Sequence, residues 1–301
     1  MATMASGPDE DLPTLIRRKD HLNILRYVRA HQLRDPDLVI VHAKALLGDD
    51  LQKKLSDESA RLAALEQTCL AALDVQNHEL SEKCLSRLSE SVGNEATRFR
   101  MLLARCLESA GDTSGSKIIY DDLLKDNPSN LMALKRLYCL SSTEKEAVES
   151  LNKFIQQNIA DPAGWYEMAK LRLSMGDFKG AAYALEEVVL ACPLDSSLHC
   201  QLGEVYATLG GTENLLLARR HLCQSLELDD SNRRAMFGLV SAGSSYIEAT
   251  KGKKDADEHE IEVSKELVKY GVEKIGMAYK GTKMNSAVQS VMKDHSDIAN
   301  L

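Results

Sequence analysis

The chain has 301 residues, 44% of them hydrophobic, which is ample for a core and room for one to three ordinary domains. A formal charge of −8 argues against general nucleic-acid binding, because affinity for a phosphate backbone comes largely from clustered Lys and Arg. The purest apolar run, Leu38 to Val41, falls far short of the ~20 residues a membrane span needs. Seven cysteines, an odd number without CxxC pairing, fit a reducing compartment in which most are small buried packers.

In chain order, "MATMASGPDEDLP" is short, polar and acidic, without the basic start and apolar core of a secretory signal, and its first ~10 residues are expected to be disordered. "LIRRKDHLNILRYVRAHQLR" follows, with Arg17, Arg18, Lys19, Arg26, Arg29 and Arg34 around Leu15, Ile16, Leu22, Leu25 and Val28. It reads as a basic amphipathic helix, either the solvated face of a capping helix or a site for a membrane surface or acidic partner.

From about Leu65 the apolar spacing becomes helical and interrupted at intervals. "LEQTCLAALDVQNHELSEKCLSRL" spells two helices with Gln76 at the turn. Leu103, Ala104, Gly111, Asp112, Ser116, Tyr120, Leu123 and Pro128 mark a second such unit, and Leu131 to Phe154 a third whose turn, "SSTEKEA", is short and lacks glycine. "GWYEMAKLRLSMGDFKGAAYALEEVVLACP", Gly164 to Pro193, is the fullest copy: apolar positions stop at Gly176-Asp177, resume at Phe178 and end at a proline. Leu202, Gly203, Tyr206, Gly210, Ala218, Leu222 and Leu226 repeat it with three extra residues in the turn region "GGTENLLLA". The expected organisation is capping helices over 1–60, a repeat array over 61–245, and a polar linker with a C-terminal capping helix over 246–301.

These units resemble tetratricopeptide repeats, whose period is about 34 residues with small residues inside and proline near the end. The fold expected is all-α, a right-handed superhelical solenoid of helical hairpins. No phosphate loop, nucleophile elbow or HExxH occurs. The pairs Glu186-Glu187 and Asp229-Asp230 read as charges on an outer helical face and at a hairpin junction, so no catalysis and no cofactor are expected. His199, Cys200, His221 and Cys223 are the best metal candidates. Yet His199 holds the packing position of Trp165 one copy earlier, His221 and Cys223 flank core Leu222 and should point away from it, and the spacings match no usual zinc site, so no metal is expected.

Binding by shape remains. The repeat register turns Arg98, Met101 and Arg105 in one copy, Tyr166, Lys170 and Leu173 in the central copy and Glu204 in a later one toward a concave face suited to an extended or helical segment of a partner. A clamp on an acidic chaperone tail is disfavoured, since Tyr166 and Cys200 stand where that clamp needs its first lysine and Glu204 where it needs an asparagine.

Beyond the repeat pattern, "LLGDDL", "LEQTCLAALD", "KDNPSNLMALKR", "WYEMAKLRLSMGDFKGAAYALEEVVL", "YATLGGTENLLLARRHLCQSLEL" and "NRRAMFGLVSA" resemble the family of subunit 2 of the endoplasmic reticulum membrane protein complex. The resemblance implies a non-catalytic, peripheral scaffold on the cytoplasmic face of the reticulum. Its partners would be other subunits of that complex, with membrane contact only through them and no nucleic acid or small-molecule substrate. The complex inserts newly made membrane proteins, tail-anchored and multi-pass ones included, without nucleotide hydrolysis. The alternative is a free cytosolic repeat adaptor for chaperone or signalling partners.

Overall fold

The computed structural model describes residues 11–46, 57–253 and 257–300; the expected disordered start lies outside them. The regular structure of the described residues is helical throughout, in two compact units, Met1–Leu140 and Ser141–Leu301. The first unit holds α1 (Leu12–Arg18), α2 (His21–Ala30), α3 (Pro36–Leu46), α4 (Glu58–Asp74), α5 (His78–Val92), α6 (Thr97–Ser109), α7 (Thr113–Asp126) and α8 (Leu131–Cys139). The second holds α9 (Glu144–Gln157), α10 (Pro162–Ser174), α11 (Phe178–Ala191), α12 (Ser196–Leu209), α13 (Thr212–Leu228), α14 (Arg233–Thr250), α15 (Glu258–Tyr279) and α16 (Asn285–Ala299). The division falls inside the copy that sequence placed over Leu131 to Phe154, between its two helices.

The hairpin turns follow from local chemistry. Gly111 and Gly176 take φ of 86° and 74°, where a side chain is strained, and the aspartate after each caps the next helix. Asp112 Oδ1 accepts from the Gly115 amide at 2.8 Å and Asp177 Oδ1 from the Gly180 amide at 2.9 Å. In the first copy Gln76 holds the turn position at φ 57° without being glycine, while Asn77 supplies the cap. A β-carbon on Gly176 would meet nothing within 4 Å, so Gly176→Val is expected to cost about 1–2 kcal/mol from backbone strain alone. Gln76→Gly should gain about 0.5 kcal/mol, because released strain exceeds the added freedom of the unfolded chain. Urea midpoints moving in opposite directions are the expected result; an unchanged Gly176→Val midpoint would contradict this turn geometry.

Small residues set how closely the helices of a hairpin approach. Ala169 and Ala181 are buried between α10 and α11. A β-carbon on Gly203 would stand 2.7 Å from the Leu222 side chain and 3.1 Å from the Ala218 carbonyl, so α12 and α13 pack at a distance only glycine permits. The repeat is visible even in its hydrogen bonds. Trp165 Nε1 donates to the Ile159 carbonyl six residues upstream at 2.8 Å, and His199, in the matching position, places Nε2 3.1 Å from the Pro193 carbonyl six upstream.

Four expectations need correction. The basic N-terminal segment is two helices: Lys19 turns left-handed at φ 55° and Asp20 caps α2. The three extra residues near Gly210 do not lengthen a loop; they extend the second helix of the copy, which has 17 residues in α13 against 14 in α11. Gly210, which the repeat equates with Gly176 as a turn glycine of left-handed geometry, has a positive φ but, at ψ −173°, lies in an extended glycine conformation outside the left-handed helical region. The C-terminus carries two helices where one was expected, parted near Gly281, with Val288 and Met292 of α16 buried against Met236, Val240, Val268 and Ile275. Among the described residues, no helix is long and apolar enough to cross a membrane.

Candidate partner-binding surface

The sequence-derived surface residues fall in both units, and each set is positioned by its own helices. In the first unit they lie on α6. Arg98 is exposed and paired with Glu66 of α4, its Nη2 donating at 2.7 Å. That pair raises the guanidinium pKa above its ordinary value. Met101 is half-buried against the cluster of Ala104, Tyr120, Leu123 and Ala133, so packing accounts for much of it. Arg105 is half-buried and makes no hydrogen bond or ion pair with a described residue.

In the second unit the residues connect the first helices of successive hairpins. Lys170 Nζ sits 4.3 Å above the Tyr166 ring and 3.2 Å from Glu167, all on α10. The Tyr166 hydroxyl donates to Gln201 Oε1 on α12 at 3.2 Å. Glu204 on α12 takes a two-pronged hydrogen bond from Arg234 on α14, and Leu173 is half-buried at the far end of α10. Gln201 and Arg234 were missed by sequence reasoning. The repeat register could have found Gln201, which matches Glu167 in the next copy. Arg234 follows the lengthened α13, and nothing in its local sequence marks it. The strip thus offers an aromatic face, an exposed ammonium and a partly neutralised carboxylate, groups that hold a polypeptide by hydrogen bonds and charge.

Behind these surfaces lie buried polar links between helices. Tyr120 donates to Glu108 at 2.6 Å, and Arg136 of α8 closes on the same carboxylate, tying α6, α7 and α8 together. Burial first, then Glu108, raises the Tyr120 hydroxyl above its usual range. Glu186, placed by sequence on an outer face, instead accepts from the Tyr206 hydroxyl of α12 and is half-buried. Arg219 of α13, nearly fully buried, grips Glu260 of α15 and donates to Ser264 Oγ at 2.7 Å.

His221 also departs from expectation. It does not point away from its hairpin: its Nδ1 lies 3.1 Å from His199 Nδ1, and its ring stacks between those of His199 and Tyr206. Since His199 Nε2 donates to Pro193, its Nδ1 accepts from His221. In the register that aligns Leu222 with Leu185, His221 takes the place of Ala184, which is also buried. Among the described residues no group of three His, Cys, Asp or Glu is placed to hold a metal. A second pair, His21 and His42, stands at 2.8 Å in the first unit.

Burial first, then the facing histidine, holds His221 and His42 below their ordinary pKa of 6.5; Glu186 opposes this at His221. A depressed folded pKa means that the unfolded chain takes the proton first. The stability contributed is therefore full above pH 6.5 and is lost as pH falls from there toward the folded values. The melting temperature is expected to fall between pH 7 and pH 5.5, and a His42→Asn, His221→Asn double variant should flatten that slope; an equal slope in wild type and variant would contradict it.

Helical hairpins with positive-φ turns, small inner residues and first-helix side chains linked from copy to copy define a tetratricopeptide-type helical repeat protein. The family model of the EMC2 TPR-like repeat domain matches residues 84–216. ER membrane protein complex subunit 2-A of Xenopus laevis is 32% identical over 234 residues, covering 75% of this chain and 77% of that protein. ER membrane protein complex subunit 2 of Dictyostelium discoideum is 28% identical over 208 residues, covering 68% and 64%. The chain belongs to the family of ER membrane protein complex subunit 2. Among solved structures, the C-terminal part of a TPR repeat-containing protein from Cytophaga hutchinsonii aligns with a TM-score of 0.48 at 11% identity, over 88% of this chain and 98% of that one.

Proposed function

We propose that the chain is a non-catalytic scaffold subunit of the endoplasmic reticulum membrane protein complex, peripheral on the cytoplasmic face of the reticulum. It supports energy-independent insertion of newly made membrane proteins by holding cytosolic segments of other subunits. The observation that carries this reading is the family match, which spans three quarters of the chain at 32% identity. A repeat fold suits the role: each hairpin adds surface without adding chemistry. No described helix is long and apolar enough to cross a membrane, and in this reading attachment runs through partners.

Within this reading, Arg98, Met101 and Arg105 on α6, and Tyr166, Lys170, Leu173 and Glu204 on α10 and α12, contact partner segments. Arg105 is the candidate whose charge has no internal partner among the described residues, so it is the first to test. Purifying the tagged full chain from mild-detergent extracts and identifying what comes with it by mass spectrometry should recover membrane-embedded subunits in fixed proportion. Recovery alone, or only with soluble chaperones, would favour a free adaptor and overturn the proposal.

A further inference from the structure

Three cysteines of the first unit meet where α4, α5 and α6 pack. Cys69 of α4 is fully buried, and its Sγ lies 3.8 Å from Cys106 Sγ of α6 and 3.9 Å from the Ser81 carbonyl oxygen of α5. Cys84 of α5 is buried in the same core. Cys106 differs from both in being only half-buried. Arg105, without an ion pair to any described residue, stands next to it in the chain.

We propose that Cys69 and Cys106 form a redox-responsive dithiol that hydrogen peroxide converts to a disulfide clamping α4 to α6. The two sulfurs need to approach by under about 2 Å to reach bonding distance, a movement within the range of small side-chain rotations. The roles divide by position. Cys106 is the attacking thiol: the contact with Cys69 favours its thiolate most, Ser81 and Arg105 add to this, against burial and Glu82, and its pKa lies below the ordinary 9.0. The same contact, followed by burial, raises the Cys69 thiol above its ordinary value. Burial pushes the Cys84 thiol up to about 12 and removes it from competition.

In the first step the Cys106 thiolate attacks one peroxide oxygen. A sulfur–oxygen bond forms, the oxygen–oxygen bond breaks, and hydroxide leaves and takes a proton to become water. In the second, Cys69 sulfur attacks Cys106 sulfur. The sulfur–sulfur bond forms, the sulfur–oxygen bond breaks, and the departing hydroxide carries off the Cys69 proton as a second water. Two thiols are oxidised by one electron each and one peroxide is reduced by two. The disulfide joins the two helices that the Arg98–Glu66 pair already links at the surface, so oxidation stiffens the face that carries Arg98 and Arg105.

The test treats the purified full chain with a small excess of hydrogen peroxide under native conditions, blocks remaining thiols and maps peptides. The expected result is loss of two hydrogens from the intact mass, a Cys69–Cys106 cross-linked peptide, a raised melting temperature and full reversal by dithiothreitol. Cys84→Ser should react like wild type. Cys69→Ser should leave Cys106 carrying added oxygen, with no cross-link. A disulfide involving Cys84 or Cys139, or oxygen addition at Cys106 without a cross-link in the folded wild-type chain, overturns the proposal. So does absence of reaction there.

Discussion

Leu185→Asp is expected to unfold the second unit or bring it to the edge of unfolding. Leu185 of α11 has no exposed surface, and the helix packs against both α10 and α12. Losing the leucine forfeits about 1.5–3 kcal/mol of apolar burial, and the carboxylate adds several more unless it is protonated. The total, roughly 5 kcal/mol, is comparable to the whole stability of many domains. Because each hairpin of a repeat array leans on its neighbours, the damage spreads. Hydrogen exchange should show amides of α10, α11 and α12 losing protection together. Loss confined to α11 would contradict a coupled array.

Glu260→Ala should lower stability by about 3 kcal/mol, through charge instead of volume. The Arg219 side chain is 7% exposed and Glu260 22%, so truncation leaves a guanidinium in the interior with, among the described residues, the Glu260 main-chain oxygen and Ser264 as hydrogen-bond acceptors and the Tyr246 ring 6.0 Å away. Glu260→Gln keeps an acceptor and should cost less. Replacing both members together, Arg219→Met with Glu260→Leu, should recover most of the loss, since the uncompensated charge is then gone. Calorimetry on the four chains separates these cases. A Glu260→Ala melting temperature equal to wild type would mean that Arg219 reaches solvent and that α13 and α15 are not pinned there.

Those two sites show what the sequence made legible. Leu185 was visible as core because it repeats an apolar position from copy to copy, and Gly176, Asp177 and Pro193 punctuate the copy with residues whose local preferences are strong. Periodicity of that kind reports which face of a helix is buried. It carries no information about which polar residue meets which across two hairpins, since that depends on the rotation between them. Arg219–Glu260, Glu108–Arg136 and Glu204–Arg234 were therefore invisible, although each member is an ordinary charged residue in the chain. His221 was misread for a different reason: flanking core Leu222 does not turn a residue outward, and its match one copy earlier, Ala184, is buried too. The second C-terminal helix was hidden by a weak break: Gly281 and Thr282 interrupt a polar stretch in which Val288, Met292 and Ala299 mark the buried side.

For the candidate surface residues, the helix that carries each was readable and the contacts each makes were not. Arg98 and Glu204 are each answered by a charge on a neighbouring helix, Met101 serves packing, and Lys170 lies over Tyr166. Arg105 therefore gives the cleanest single change, since reversing it breaks no internal pair among the described residues. Removing one charge-assisted hydrogen bond to a partner should cost about 1.5–3 kcal/mol where the bond is desolvated and much less where it is exposed.

The scaffold reading is tested most directly by fractionating cells that express either the wild-type chain or an Arg98→Glu, Arg105→Glu variant. Wild type should sediment with membranes, come off with alkali or detergent, and travel in a large particle after mild extraction. The variant should move to the soluble fraction while its helical circular-dichroism signal stays near wild type and its melting temperature falls by no more than the exposed Arg98–Glu66 pair accounts for. A wild-type chain found only in the soluble fraction as a small particle would contradict membrane-complex membership. A folded variant that remains in the large particle would contradict the α6 surface as its point of attachment.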